Sequence, residues 1–124
     1  QDVIGIDPAD ATTRANQMLE TLFKHILSDL DEKLPRDQSI RSLYKAVKGV
    51  LKLDQKQLSP DVMKMLSGLT TIVQSIGDLR THTGTAHGRS REETAIDSQQ
   101  AGLAVNAAGI TSLFFLEKLK FKSK

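Results

Sequence analysis

The chain has 124 residues, enough for one hydrophobic core and too few for two ordinary ones, so residues 1–124 are read as a single domain. Its 17 basic and 15 acidic residues leave a net charge of +2, too balanced to identify a nucleic-acid binder by charge alone. The absence of cysteine excludes disulfides and thiolate zinc sites. The chain begins at Gln1 rather than Met, as a fragment of a longer protein would. No apolar run approaches the roughly twenty residues needed to cross a bilayer, and no signal-peptide pattern opens the sequence. The expectation is a soluble, cytoplasmic protein with no membrane partner.

Apolar residues recur at helical spacing almost throughout, with no sustained alternation of the strand type, which predicts an all-α bundle of about four to five helices. Asp7-Pro8 is a cap and first-turn pair. The stripe of Met18, Leu19, Leu22, Phe23, Ile26, Leu27 and Leu30 then defines a first helix ending near Asp31. Asp37 or Ser39 caps a second helix carrying Ile40, Leu43, Tyr44, Val47 and Leu51, which stops around Leu53. Ser59-Pro60-Asp61 is the clearest helix start in the sequence. From it a third helix, about 30 Å long, is expected to reach Leu79 or Arg80. A loop should follow over Thr81 to Gly88, with Ser90 and Glu93 as a capping box for the next helix. The last helix carries Ile96, Leu103, Ala107, Ile110, Leu113, Phe114, Leu116 and Leu119. Its small-residue middle, "AGLAVNAAGI", predicts close packing against the third helix or across a subunit boundary. The closing "EKLKFKSK" reads as a solvated helix end.

The stretch "GDLRTHTGTAHGR", Gly77 to Arg89, interrupts this helix-forming text. The two long helices around it make an antiparallel hairpin, with Arg80 at the end of one and His87 just before the next. Read as a plain turn, Gly84 and Gly88 supply positive φ, the threonines bond locally, and Arg80 complements the helix dipole. Read as a metal site, His82, His87 and Asp78 lack a thiolate or further local carboxylate to complete a shell. Read as an anion site, a guanidinium grips phosphate oxygens in a fork and a histidine titrates near pH 6.5.

An arginine at a helix end, six intervening residues and a histidine resemble the R-x(4–6)-H motif of the HEPN superfamily. More narrowly, "IGDLRTHTGTAHGR" is similar to the signature of the abortive-infection C-terminal family. The likeness continues through "MLETLFKHIL" upstream and "AGLAVNAAGITSLFFLEKL" downstream. The resemblance implies a metal-independent, cofactor-free endoribonuclease that works as a homodimer in antiphage or toxin systems, with an N-terminal domain or an antitoxin-like regulator as a further partner. It implies catalytic roles for Arg80 and His87, and supporting or RNA-binding roles for Asp78, Thr81, His82, Gly88 and Arg89. The other class of function is a non-catalytic helical module that dimerises a larger protein or binds a nucleotide or RNA. His25 is expected to be structural, and Glu20 with Lys24 to be a helix-stabilising i,i+4 pair.

Overall fold

The computed structural model describes residues 7–53, 59–83 and 97–123, in which four helices and no strand occur: α1 (Pro8–Asp29), α2 (Ile40–Val50), α3 (Pro60–Thr83) and α4 (Ser98–Ser123). The all-α expectation holds, and each start has a chemical reason. The Asp7 carboxylate accepts from the Ala9 N–H with Pro8 in the first turn. The Ser39 hydroxyl accepts from the Ser42 N–H, and the Ser59 hydroxyl from the Val62 N–H. At α4, Asp97 and Gln100 cap reciprocally, the side chain of each accepting from the other's backbone N–H. That arrangement is a capping box built from an acid and an amide. The expected box at Ser90 and Glu93 lies outside the described residues.

Asp37 supports the second of these starts. Its carboxylate accepts from the Ser42 hydroxyl and from the backbone and hydroxyl of Ser39. These bonds, led by that from Ser42, hold its pKa below the usual carboxylate value. Their help is present at neutral pH and is lost as pH falls through that lowered value.

Two helices end on a residue of left-handed backbone: Asp31 after α1 and Lys52 after α2, each with φ 58°. In both caps two N–H groups turn back to carbonyls of the last turn, Glu32 to Leu27 and Asp31 to Ser28, Leu53 to Lys48 and Lys52 to Gly49. Glycine is the usual occupant of such a position. Aspartate tolerates it better than most side chains, whereas lysine has no local bond to offset the Cβ clash.

The core is assembled around three rings from three helices. Phe23 of α1, Tyr44 of α2 and Phe115 of α4 lie with centroids 5.3–5.8 Å apart, Phe115 edge-on to the other two. Leu19, Ile26, Leu27, Leu43 and Val47 fill the space around them, and Val73 and Ile76 bring in α3. The Tyr44 hydroxyl leaves the apolar cluster to meet the Thr70 hydroxyl at 2.7 Å. Burial, opposed in part by that bond, pushes the Tyr44 pKa up. The contribution is therefore complete below pH 10 and fades only as pH rises through the raised value. Because Tyr44 meets Thr70 while Arg41 meets Asp78, α2 and α3 run antiparallel.

Two expectations for the last helix are corrected. Its small-residue line, Ala101, Ala104 and Ala108, continues through Thr111, Phe115 and Leu119 as the buried face, and its most extensive packing is against α1, with α3 a lesser neighbour. Alanines at this spacing let the α1 backbone come close. Second, Ser98–Phe121 spans 24 residues and contains an 18-residue window of mean hydropathy 1.2, of which only 28% is buried. By length and composition it meets the description of a membrane-crossing helix, contrary to the expectation that no segment comes near one. The sequence reading looked for an unbroken run of large apolar side chains. Here alanines, interspersed with Leu, Val, Ile and Phe, carry the average. One such helix is weak evidence for a membrane, since core helices share its composition.

Lys52→Gly should stabilise the fold by about 0.5–1 kcal/mol, the left-handed penalty being relieved and partly offset by the greater freedom of glycine in the unfolded chain. Urea denaturation followed by circular dichroism measures the change.

Candidate functional site

Helix α3 runs on through Thr83, so Arg80, Thr81 and His82 belong to its last turns and not to a loop. The expected boundary at Leu79 or Arg80 is corrected for a physical reason. Nothing between Arg80 and Thr83 breaks a helix, and the first residue that would, Gly84, comes later. Thr81 is accommodated within the helix, its hydroxyl donating to the Gly77 carbonyl four residues back at 3.0 Å. Thr70, Thr71 and Thr111 make the same backward bond. His87, Gly88 and Arg89 lie outside the described residues.

Placing Arg80 on a helix fixes its direction. It stands four residues after Ile76 and seven after Val73, both buried, and so continues the inward-facing line of α3. Yet Arg80 itself is exposed, since the line has there outrun the helices that cover it. Successive helical residues turn by about 100°, so Asp78 projects from the opposite side. Asp78 therefore does not face Arg80. Its carboxylate is bound to the Arg41 guanidinium of α2 at 2.7 Å. His82 follows Asp78 by one turn on that same outer side and is exposed.

The seat of this helix end is Gly77. A Cβ there would stand 2.8 Å from Cγ2 of Ile40 and 3.8 Å from Oδ1 of Asn16. Only a residue without a side chain lets α3 approach α2 and α1 so closely three residues before Arg80. Asn16 is a residue that the sequence reading missed. It is 2% exposed, its amide nitrogen donates to Glu20 at 2.9 Å, and its carbonyl oxygen is buried with no partner among the described residues. With buried Thr12 before it and half-buried Glu20 after it, it forms a polar line at i, i+4, i+8 on α1. That spacing was readable as a signal. Glu20 therefore has Asn16 as its partner where Lys24 was expected. His25, expected to be structural, is exposed beside Lys24 and Ser28 on a surface groove.

Among the described residues no three His, Asp or Glu side chains gather as a metal would require. What the described part of the site offers is an exposed guanidinium, rigidly carried on a helix, with an exposed histidine close by in sequence. That combination suits an anionic ligand.

The family model of the Abi_C HEPN-like domain matches residues 2–119, nearly the whole chain, and the protein belongs to that family. No curated protein and no solved structure shows significant similarity to it.

Gly77→Ala should lower stability by about 1 kcal/mol. Overpacking against Ile40, whose branched side chain cannot swing aside, costs about 1–3 kcal/mol, and the helix propensity of alanine returns about 1. Gly68→Ala on the same helix meets nothing within 4 Å and should gain up to about 1 kcal/mol. Opposite signs for these two variants, read as urea midpoints, verify the close approach.

Proposed function

We propose that this HEPN-like domain is a metal-independent endoribonuclease, an abortive-infection effector that cuts cellular or phage RNA in the cytoplasm and acts as a homodimer. The observation that carries the reading is the R-x6-H motif itself, Arg80 to His87, in a chain that belongs to this family, with Arg80 exposed at the end of α3. RNA supplies its own nucleophile. One His87 removes the 2′-hydroxyl proton, the oxygen attacks the adjacent phosphorus, and the 5′-oxygen leaves with a proton from the second His87. Arg80 cannot titrate and serves as a fixed cation on the phosphate oxygens. The products are a 2′,3′-cyclic phosphate and a 5′-hydroxyl. Two copies are required because one motif holds a single histidine of the acid-base pair.

The surface of the bundle supports association. On the side of α4 turned away from α1, Leu103, Ile110, Leu113 and Phe121 are each 63–75% exposed, and Met65 of α3 is 73% exposed. Apolar side chains left in water in such number favour a partner. A second reading, a non-catalytic module that dimerises or binds RNA, is favoured by Thr81: its hydroxyl is engaged with the Gly77 carbonyl and is to that extent withdrawn from a phosphate.

Cleavage of single-stranded RNA should proceed in EDTA, with DNA of the same sequence intact. Arg80→Ala and His87→Ala should each cost about a hundredfold or more. Arg80→Lys should also fail largely, because an ammonium cannot grip two oxygens, while His82→Ala is milder. Thermal midpoints should hardly move. Parental cleavage by both alanine variants would leave the non-catalytic reading in possession. Ile110→Glu with Leu113→Glu should give a folded monomer by light scattering at micromolar concentration, and that monomer should be inactive.

A further inference from the structure

Helix α2 and the turn that closes it contain four basic residues and no acidic one over residues 40–53. Three are aligned. Arg41, Lys45 and Lys48 recur at i, i+4, i+7, which puts them on one side of the helix within an arc of about 60° and over about 10 Å. Arg41 and Lys45 are exposed and Lys48 is half-buried, its ammonium 5.4 Å from the Tyr44 ring centroid. Lys52 follows in the turn, and with Lys45 it borders a surface groove floored by Leu30, Pro35 and Gly49. Among the described residues, Glu32 lines that groove, Asp78 is bound to Arg41, and Asp37 accepts from the Ser42 hydroxyl on the same helix.

The ridge has a direction. Its Arg41 end is tied to Asp78 on α3, two residues before Arg80, and the antiparallel course of α2 carries the lysines away from there. A line of cations that starts against the same end of α3 as Arg80, on the face turned away from it, and leads off along the surface is what a polyanionic strand curving round that helix end would follow. Lys52 adds an independent sign, since it keeps a charged side chain in a left-handed position where glycine would be less strained.

We propose that Arg41, Lys45, Lys48 and Lys52 form a track for the phosphodiester backbone of the RNA, extending the substrate from the Arg80 end of the bundle along α2. The proposal rests on the ribonuclease reading for what the track feeds, but the binding it describes is measured separately. The ammonium groups meet the regularly recurring phosphates of the strand, so several are within reach of the ridge. Recognition of this kind is independent of base sequence. The track gives affinity and leaves the chemistry to Arg80 and His87.

The test compares two variants of equal charge change. Lys45→Gln/Lys48→Gln/Lys52→Gln removes the ridge, and Lys64→Gln/Lys118→Gln/Lys120→Gln removes three exposed lysines from α3 and α4. Binding of a fluorescent single-stranded RNA of about 16 nucleotides is followed by anisotropy across salt concentrations. The ridge variant should bind at least about tenfold more weakly, with a log-log salt slope shallower by about two, while the second variant changes by less than about threefold. In cleavage, the ridge variant should show a raised KM on the long RNA with kcat retained, and should cut a dinucleotide like the parent. Lys52→Gly should bind RNA more weakly while its thermal midpoint rises, which no loss of folding can imitate. Equal weakening by both triple variants, or no RNA binding by the parent protein, overturns the track. In the first case cleavage of the dinucleotide still reports on the nuclease reading. Conversely, if the chain binds RNA through the ridge but Arg80→Ala leaves cleavage unchanged, the nuclease reading falls and the track stands.

Discussion

The structure depends on three aromatic rings meeting at one point, one of them edge-on to the other two. The chain has four phenylalanines, one tyrosine and no tryptophan, and it places Phe23, Tyr44 and Phe115 together so that α1, α2 and α4 each give one ring to a single contact. Such pairs add about 0.5–1.5 kcal/mol beyond their buried area. Their larger effect here is geometric, because they fix how three helices stand around a common point. Helix α3 brings no ring. It is attached by Val73 and Ile76 and by the bond between the Tyr44 and Thr70 hydroxyls, so Tyr44 is both a member of the ring cluster and its link to the helix that carries Arg80.

From that link the orientation of the motif end follows in steps. Tyr44 fixes α3 at Thr70, and the missing side chain of Gly77 then lets the helix settle against Ile40 and Asn16. Arg41 holds Asp78 from the other side. With three constraints over nine residues, little freedom remains for Arg80, which emerges on the same line as Val73 and Ile76. A guanidinium positioned this way loses less entropy on meeting a ligand than one on a loop.

The fold was legible where local chemistry decides. Asp7-Pro8, Ser39 and Ser59-Pro60 announced their helices correctly because a side-chain oxygen and the proline ring act within one turn, and the stripes of α1 and α2 named the core. Legibility failed where the answer depends on what is brought near from afar. Asp78 was read as a partner of Arg80 two residues on, but helical rotation turns it to Arg41, 37 residues away. The end of α3 was set too early because polar residues were taken to mean loop, although threonine and histidine are compatible with helix. Asn16 passed unnoticed, since one amide in an apolar stripe looks incidental until its burial is seen. Of the candidate site, Arg80 and the helix that bears it were readable.

Helix α4 shows apolar surface on its inner and outer sides alike, and only the inner side is covered within the chain. Putting the outer side out of contact with water is a process with a negative heat-capacity change, driven near room temperature by entropy. It gains strength on warming and in sulfate, and loses it in the cold or in urea. Ionic strength acts oppositely on the lysines of α2, whose attraction for a polyanion weakens as salt is added. Salt in the solvent thus pulls two faces of this small bundle in different directions, toward concealment of one and release of whatever the other holds.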